Sequence, residues 1–166
     1  MSYFGYFFES FRGDMMTKFG LPATFIQDNQ TKSVGGTLRG LHYQLKYPQG
    51  KLVRVSLGKI YDVAVDIRRG SPTFGHHWGT ILSDEVHMMM FIPEGFAHGF
   101  SVLSDTAIFQ YKCTNIQHQE DEYGLRWDDQ ELNIDWKITN PILSQKDSSL
   151  PFLKNIKDEH LPVYES

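Results

Sequence analysis

The chain has 166 residues, 40% of them hydrophobic and 14% aromatic, which suits one domain with a sizeable core over residues 1–166. Its net charge of −4, with both signs interspersed, excludes an electrostatic case for nucleic acid or an anionic membrane surface. The single cysteine, Cys113, excludes an internal disulfide, and no apolar run approaches the ~18 residues that suggest a membrane span, so a cytoplasmic protein is expected.

The aromatic start "MSYFGYFFESFRGD" lacks the basic lead and long apolar core of a secretory signal. "GDMMTKFG" has short helical content, and "TLRGLHYQ" (37–44) then reads as a strand. Its alternation puts Leu38, Gly40 and His42 on one face and Arg39, Leu41 and Tyr43 on the other. "KLVRVSLGKIYDVAVDIR" carries two β-rich runs around Gly58-Lys59, which predicts a hairpin. In the second run Asp62, Ala64 and Asp66 share one face, and Tyr61, Val63 and Val65 the other. "HHWGTILS", "VHMMMFIPEGFAHGFSVLS" with a turn at Pro93-Glu94-Gly95, and "TAIFQYKCTN" supply further strands. "SSLPFLKNIKDEH" has short helical content, and the polar tail from about residue 154 is expected to be peripheral. Short strands with regular turn signals predict an all-β antiparallel sandwich or barrel.

The unusual feature is a set of ionisable residues inside strand-like segments: His42, Lys51, Asp62, His98 and Tyr111, with Asp147 in a late loop. Each alone has a structural reading. His42 can be a satisfied core histidine, and Asp62 a buried, hydrogen-bonded carboxylate, since an unpaired buried charge is costly. Together, in the mouth of a small β barrel, they suit abstraction of a proton beside a carbonyl. Histidine supplies a base near neutral pH, lysine stabilises an oxyanion, and tyrosine returns a proton. No metal is expected: the histidines lack the two-His-plus-carboxylate spacing, and His76-His77 point to opposite faces of a strand. The "GFAHGF" glycines do not lead into a helix, so they form no phosphate loop. Cys113 carries no signature of a nucleophile and reads as a small core residue.

"TLRGLHYQ", "GKLVRV", "DVAVDIRRGSPTFG", "IPEGFAHGF", "YKCT", "LRWDD" with "IDW", and "LSQKD" stand in the order found in the dTDP-4-dehydrorhamnose 3,5-epimerase family, which the chain resembles from about Gly5 to Leu153. The resemblance implies a cupin-like antiparallel jelly roll with short peripheral helices, a homodimer, and no metal or organic cofactor. It implies inversion of C3 and C5 of a dTDP-linked 4-keto-6-deoxyglucose. His42 matches the family's base, Asp147 the carboxylate orienting it, Tyr111 the acid on the opposite face, and Lys51 the lysine near the C4 carbonyl. His98 matches a residue lining the sugar pocket. Arg39, Gln27, Asn29, Glu122 and Lys146 match nucleotide-diphosphate or substrate contacts, and Glu9 a contact across the dimer. Because alternation separates Arg39 from His42, its diphosphate is expected in a neighbouring part of the pocket or at the partner subunit.

The chain departs from the family pattern in beginning almost at the first shared segment, and at Phe4, Met89 and Gln117, where arginine, glutamine and tyrosine are usual. These changes keep other readings open: epimerisation at one carbon, a different nucleotide-linked sugar, or a jelly-roll module that binds a nucleotide sugar without turnover.

Overall fold

The computed structural model describes residues 5–165; Phe4 lies outside them. After helix α1 (Gly13–Lys18), the chain forms β1 (Gln27–Val34), β2 (Leu38–Gln44), β3 (Lys51–Leu57), β4 (Lys59–Asp66) and β5 (His77–Ser83). It continues through β6 (Met89–Ile92), β7 (Phe96–Val102), β8 (Thr106–Cys113) and β9 (Glu122–Gly124), then helix α2 (Gln145–Ser148) and two single 3-10 turns, Leu153–Asn155 and Asp158–His160. No helix among the described residues is long and apolar enough to cross a membrane.

The strands make a four-stranded sheet ordered β1-β8-β3-β6 and a five-stranded sheet ordered β5-β4-β7-β2-β9. Every strand pairing is antiparallel, which gives the cupin-like jelly roll. Between the sheets, Val53, Val55, Ile92 and Phe109 of one meet Ile60, Leu82, Phe100 and Val102 of the other. The far face of the five-stranded sheet has its own core, where Leu41, Tyr43, Val63 and Val65 are covered by Leu125, Leu132 and Trp136. The alternation read in β4 holds: Ile60 and Ala64 face the four-stranded sheet, while Val63 and Val65 face the outer layer.

The expected hairpin at Gly58 is a corner instead. β3 pairs with β6 and β8, whereas β4 pairs with β5 and β7, so the chain changes sheets between Leu57 and Lys59. Gly58 has φ +80° and lies against the Thr106 carbonyl, leaving no room for a side chain. A hairpin and a sheet-to-sheet corner both call for glycine at positive φ, so the local signal is the same for each. The segment from residue 154, expected at the periphery, contributes to the outer core. Leu161 is buried there with Ile156 packed against the cluster, the Tyr43 hydroxyl donates to the His160 carbonyl, and Val163 bridges to Arg69.

Candidate active site

At one end of the sandwich the apolar core between the sheets gives way to a cavity of about 530 Å³. Arg39 and His42 of β2, His98 of β7, Lys51 of β3, Tyr111 of β8, Glu122 of β9, and Lys146 and Asp147 of α2 all line it. His42 and His98 are neighbours across the β2–β7 ladder of the five-stranded sheet. Lys51 and Tyr111 come from the four-stranded sheet, so they stand on the facing wall.

His42 is held from two sides. Its Nε2 lies 2.6 Å from Asp147 Oδ1, a short hydrogen bond, while its Nδ1 is 3.6 Å from Glu122 Oε1. Asp147 is only 4% exposed, and the chain prepares it locally. Ser144 caps α2, its hydroxyl accepting from the Asp147 N–H at 3.0 Å, so the Ser-x-x-Asp spacing of "LSQKD" fixes where the carboxylate points. Burial opposes ionisation of Asp147, but the His42 ring, the Ser144 side chain and the Gly40 N–H outweigh it and hold the carboxyl below its usual range. An ionised Asp147 can only accept this hydrogen bond, so Nε2 carries the hydrogen, and in the neutral ring Nδ1 presents the lone pair.

A second histidine–carboxylate pair lies alongside. His98 Nε2 is 3.0 Å from both oxygens of Asp62, which is completely buried on β4. His98 thus gives Asp62 the hydrogen-bonded partner that a buried carboxylate requires. Across the cavity, burial lowers the Lys51 pKa, partly offset by Cys113, Glu122 and Asp62. Burial likewise raises the Tyr111 phenol, with smaller contributions from Cys113 and Glu122 and an opposing one from Arg39. Lys51 makes no ion pair with a carboxylate among the described residues, and neither does Arg39, whose Nε donates to the Ser33 hydroxyl at 3.2 Å.

The structure corrects the face assigned to Arg39. Arg39 pairs with Phe100 and His42 with His98, so three steps on β2 oppose two on β7 and one residue bulges out. Gly40 absorbs the irregularity at φ +105°, with its Cα pressed against the His98–Gly99 backbone, where a side chain does not fit. The bulge turns Arg39 to the cavity side with His42, while Leu41 and Tyr43 stay in the outer core.

A side chamber of about 70 Å³ opens off the same centre, sharing His42, Lys51, Tyr111 and Glu122 and adding Asn29, Gln49 and Gln117. Gln27 does not line it but holds it in shape, donating to Asn29 Oδ1 at 3.0 Å and accepting from the Gln117 N–H at 2.8 Å. Cys113 is buried beside this chamber, 3.7 Å from the Asn29 amide nitrogen. Glu9 stands apart from the cavity, exposed on the N-terminal segment and 3.6 Å from Arg12. Sequence reasoning missed Ser144 and Ser33; the first was legible as a capping spacing, whereas nothing local marks the second.

Fold and cavity together define a cupin-like jelly roll furnished for proton transfer to and from a small anionic ligand. Residues 3–155 match the family model described as dTDP-4-dehydrorhamnose 3,5-epimerase. An enzyme of that name from Shigella flexneri is 52% identical over 145 residues, covering 86% of this chain and 80% of the relative. One from Methanothermobacter thermautotrophicus is 51% identical over 146 residues, covering 86% and 79%. The crystal structure of the dTDP-6-deoxy-D-glucose-3,5-epimerase of Legionella pneumophila, in complex with dTDP-4-keto-L-rhamnose, superposes with a TM-score of 0.96 at 47% identity. It covers all of this chain and 89% of the other. The chain belongs to the dTDP-4-dehydrorhamnose 3,5-epimerase family.

Proposed function

We propose that the chain inverts C3 and C5 of dTDP-4-dehydro-6-deoxy-D-glucose to give dTDP-4-dehydro-L-rhamnose. The observation that carries the reading is the Asp147–His42 pair on one wall of a cavity with Tyr111 and Lys51 on the other. The C4 ketone acidifies the hydrogens at both neighbouring carbons, so it serves as the electron sink itself and the reaction calls for no cofactor. His42 removes a proton through Nδ1, and the electron pair moves into the enolate with its charge on O4. Lys51, a cation without a carboxylate partner, stabilises that oxygen, an interaction stronger in the transition state than in the ground state. Tyr111 returns a proton from the opposite face, which is what inversion requires, and its raised pKa keeps it a donor at neutral pH.

Arg39 binds the diphosphate with its guanidinium fork, beside the sugar rather than in a remote region. His98, Glu122 and Lys146 contact the substrate from the cavity wall, and Asn29, steadied by Gln27, from the side chamber. The nucleotide and sugar are supported by the ligand held by the Legionella relative. The working form is a homodimer in the cytoplasm, with exposed Glu9 reaching the site of a second copy. Incubation with the 4-keto sugar in D2O is expected to place deuterium at both C3 and C5. Exchange at C3 alone means a single-site epimerase, and binding without exchange means a module without turnover. Undiminished exchange in His42→Ala overturns the assignment of the base.

A further inference from the structure

Two inversions on one sugar leave protons in the wrong places. In each, a C–H proton ends on His42 as imidazolium while Tyr111 is left as tyrosinate. The second inversion cannot begin until the histidine is neutral and the tyrosine protonated again. Asp147 cannot clear the histidine: it faces Nε2, not the nitrogen that received the proton, and it is buried away from solvent.

Glu122 is placed to do so. It sits on β9, paired with Gln44 two residues along the adjoining strand from His42, and its Oε1 is 3.6 Å from His42 Nδ1. Its other oxygen is 2.9 Å from Lys146 Nζ, and that lysine side chain is 52% exposed against 17% for Glu122. The line His42, Glu122, Lys146 therefore runs from the reacting centre to the rim. The titratable groups around Glu122 are His42 of β2, Lys146 of α2, and Lys51 and Tyr111 of the facing sheet, both of which feel its charge. The 3.6 Å between Glu122 and His42 is closed by a small side-chain rotation or one bridging water.

We propose that Glu122 is the proton-return group of this site, taking from His42 Nδ1 the proton removed from the sugar and releasing it to solvent at Lys146. The inference rests on the epimerase reading above and adds to it a role beyond substrate contact. The balance is simple. Imidazolium Nδ1–H gives its proton to the Glu122 carboxylate, the resulting carboxylic acid gives it to water, and tyrosinate takes one from water. Enzyme and solvent end as they began, ready for the second carbon.

Glu122→Gln keeps the shape and the oxygen facing Lys146 but removes the acceptor. It is expected to lower steady-state kcat by ~10²-fold, a typical contribution of a positioned proton carrier, with KM changed little. Loss of the first proton in a single turnover should proceed at the wild-type rate, because the first abstraction needs no earlier proton return, and deuterium should then fill one carbon well before the other. Glu122→Ala with added formate, a small carboxylate that fits the vacated space, should recover turnover. Unchanged kcat, a loss confined to KM, an equally slow first abstraction, or no rescue by formate overturns the proposal. A wild-type enzyme that exchanges no deuterium instead defeats the epimerase reading, so the two failures are told apart.

Discussion

Replacing Asp147 by Asn perturbs one atom and separates orientation of the base from mere packing. The carboxylate receives the His42 Nε2 hydrogen at 2.6 Å and is also approached by the Ser144 side chain and the Gly40 N–H. An asparagine cannot serve all of these. If its oxygen faces His42, its NH2 is driven against the Gly40 N–H, leaving a buried donor unpaired at about 1–3 kcal/mol. If its NH2 faces His42, Nε2 must become the acceptor and the hydrogen moves to Nδ1, occupying the lone pair that attacks the sugar. Either way the imidazolium loses a charged hydrogen-bond partner worth about 1.5–3 kcal/mol, or ~10- to 10²-fold in rate. The tautomer penalty adds to this, so kcat is expected to fall ~10²- to 10³-fold with KM nearly constant. Melting should drop by several degrees, at ~2–4 °C per kcal/mol for a chain of this size. Steady-state assay of the 4-keto sugar, with thermal melts alongside, reads both. A kcat within threefold of wild type, or a loss carried by KM alone, refutes the orientation argument.

Tyr111→Phe should uncouple exchange from inversion: His42 still removes and returns protons on its own face, so D2O labels the sugar while the inverted product falls ~10²-fold, visible by NMR. Lys51→Met should lower kcat by ~10²- to 10³-fold, the scale of losing one oxyanion donor. Because burial lowers the Lys51 pKa and the charged form is the useful one, activity in the wild type should decline with rising pH below the ordinary lysine value of 10.5. The alkaline limb of kcat/KM reports it and should be lost in the variant. Far from the site, buried Asp66 binds Arg68 at 2.8 Å, Ser71 at 2.6 Å and Thr73 at 2.7 Å. Burial opposes its ionisation, but these partners win and hold its pKa well below normal, so its stabilisation is full above the unfolded value and is lost as pH falls toward the folded one. Asp66→Asn should cost about 3 kcal/mol at pH 7, measured by urea unfolding, with the difference from wild type narrowing in acid.

Strands that fill a core were legible in the sequence, and strands that line the cavity were harder. β1 alternates in burial as any half-covered strand does, yet its inward residues Gln27, Asn29, Thr31 and Ser33 are all polar, so hydrophobic periodicity passes over it. They are polar because that end of the sandwich holds a cavity rather than a core. The Gly58 corner and the Gly40 bulge escaped for a related reason. A glycine tells that the backbone needs unusual freedom, not which strand the chain will join next or how many residues oppose its neighbour. The ion pair of Glu122 with Lys146 joins β9 to α2, a long-range pairing that no local pattern encodes. By contrast His42, Lys51 and Tyr111 could be picked out singly as ionisable residues in strands, and the folded chain brings them to one place.

The division of that place between two sheets explains why a jelly roll suits this chemistry. Inversion needs a base and an acid on opposite faces of one carbon, held apart by the thickness of a sugar ring. A single sheet or one helix would present both on the same side. Here the five-stranded sheet supplies His42 and the four-stranded sheet supplies Tyr111, so the gap between the layers sets the separation. The same layering sorts the charges. Of the cations lining the cavity, Lys146 is paired with Glu122, whereas Lys51 and Arg39 have no carboxylate among the described residues. On the proposed function, these two basic groups would meet two anions from outside: one that is permanent, the diphosphate at Arg39, and one that exists only during reaction, the enolate oxygen at Lys51. A ligand carrying the first but unable to form the second should bind without reacting, because the contact proposed for Lys51 arises in the transition state and not in the ground state.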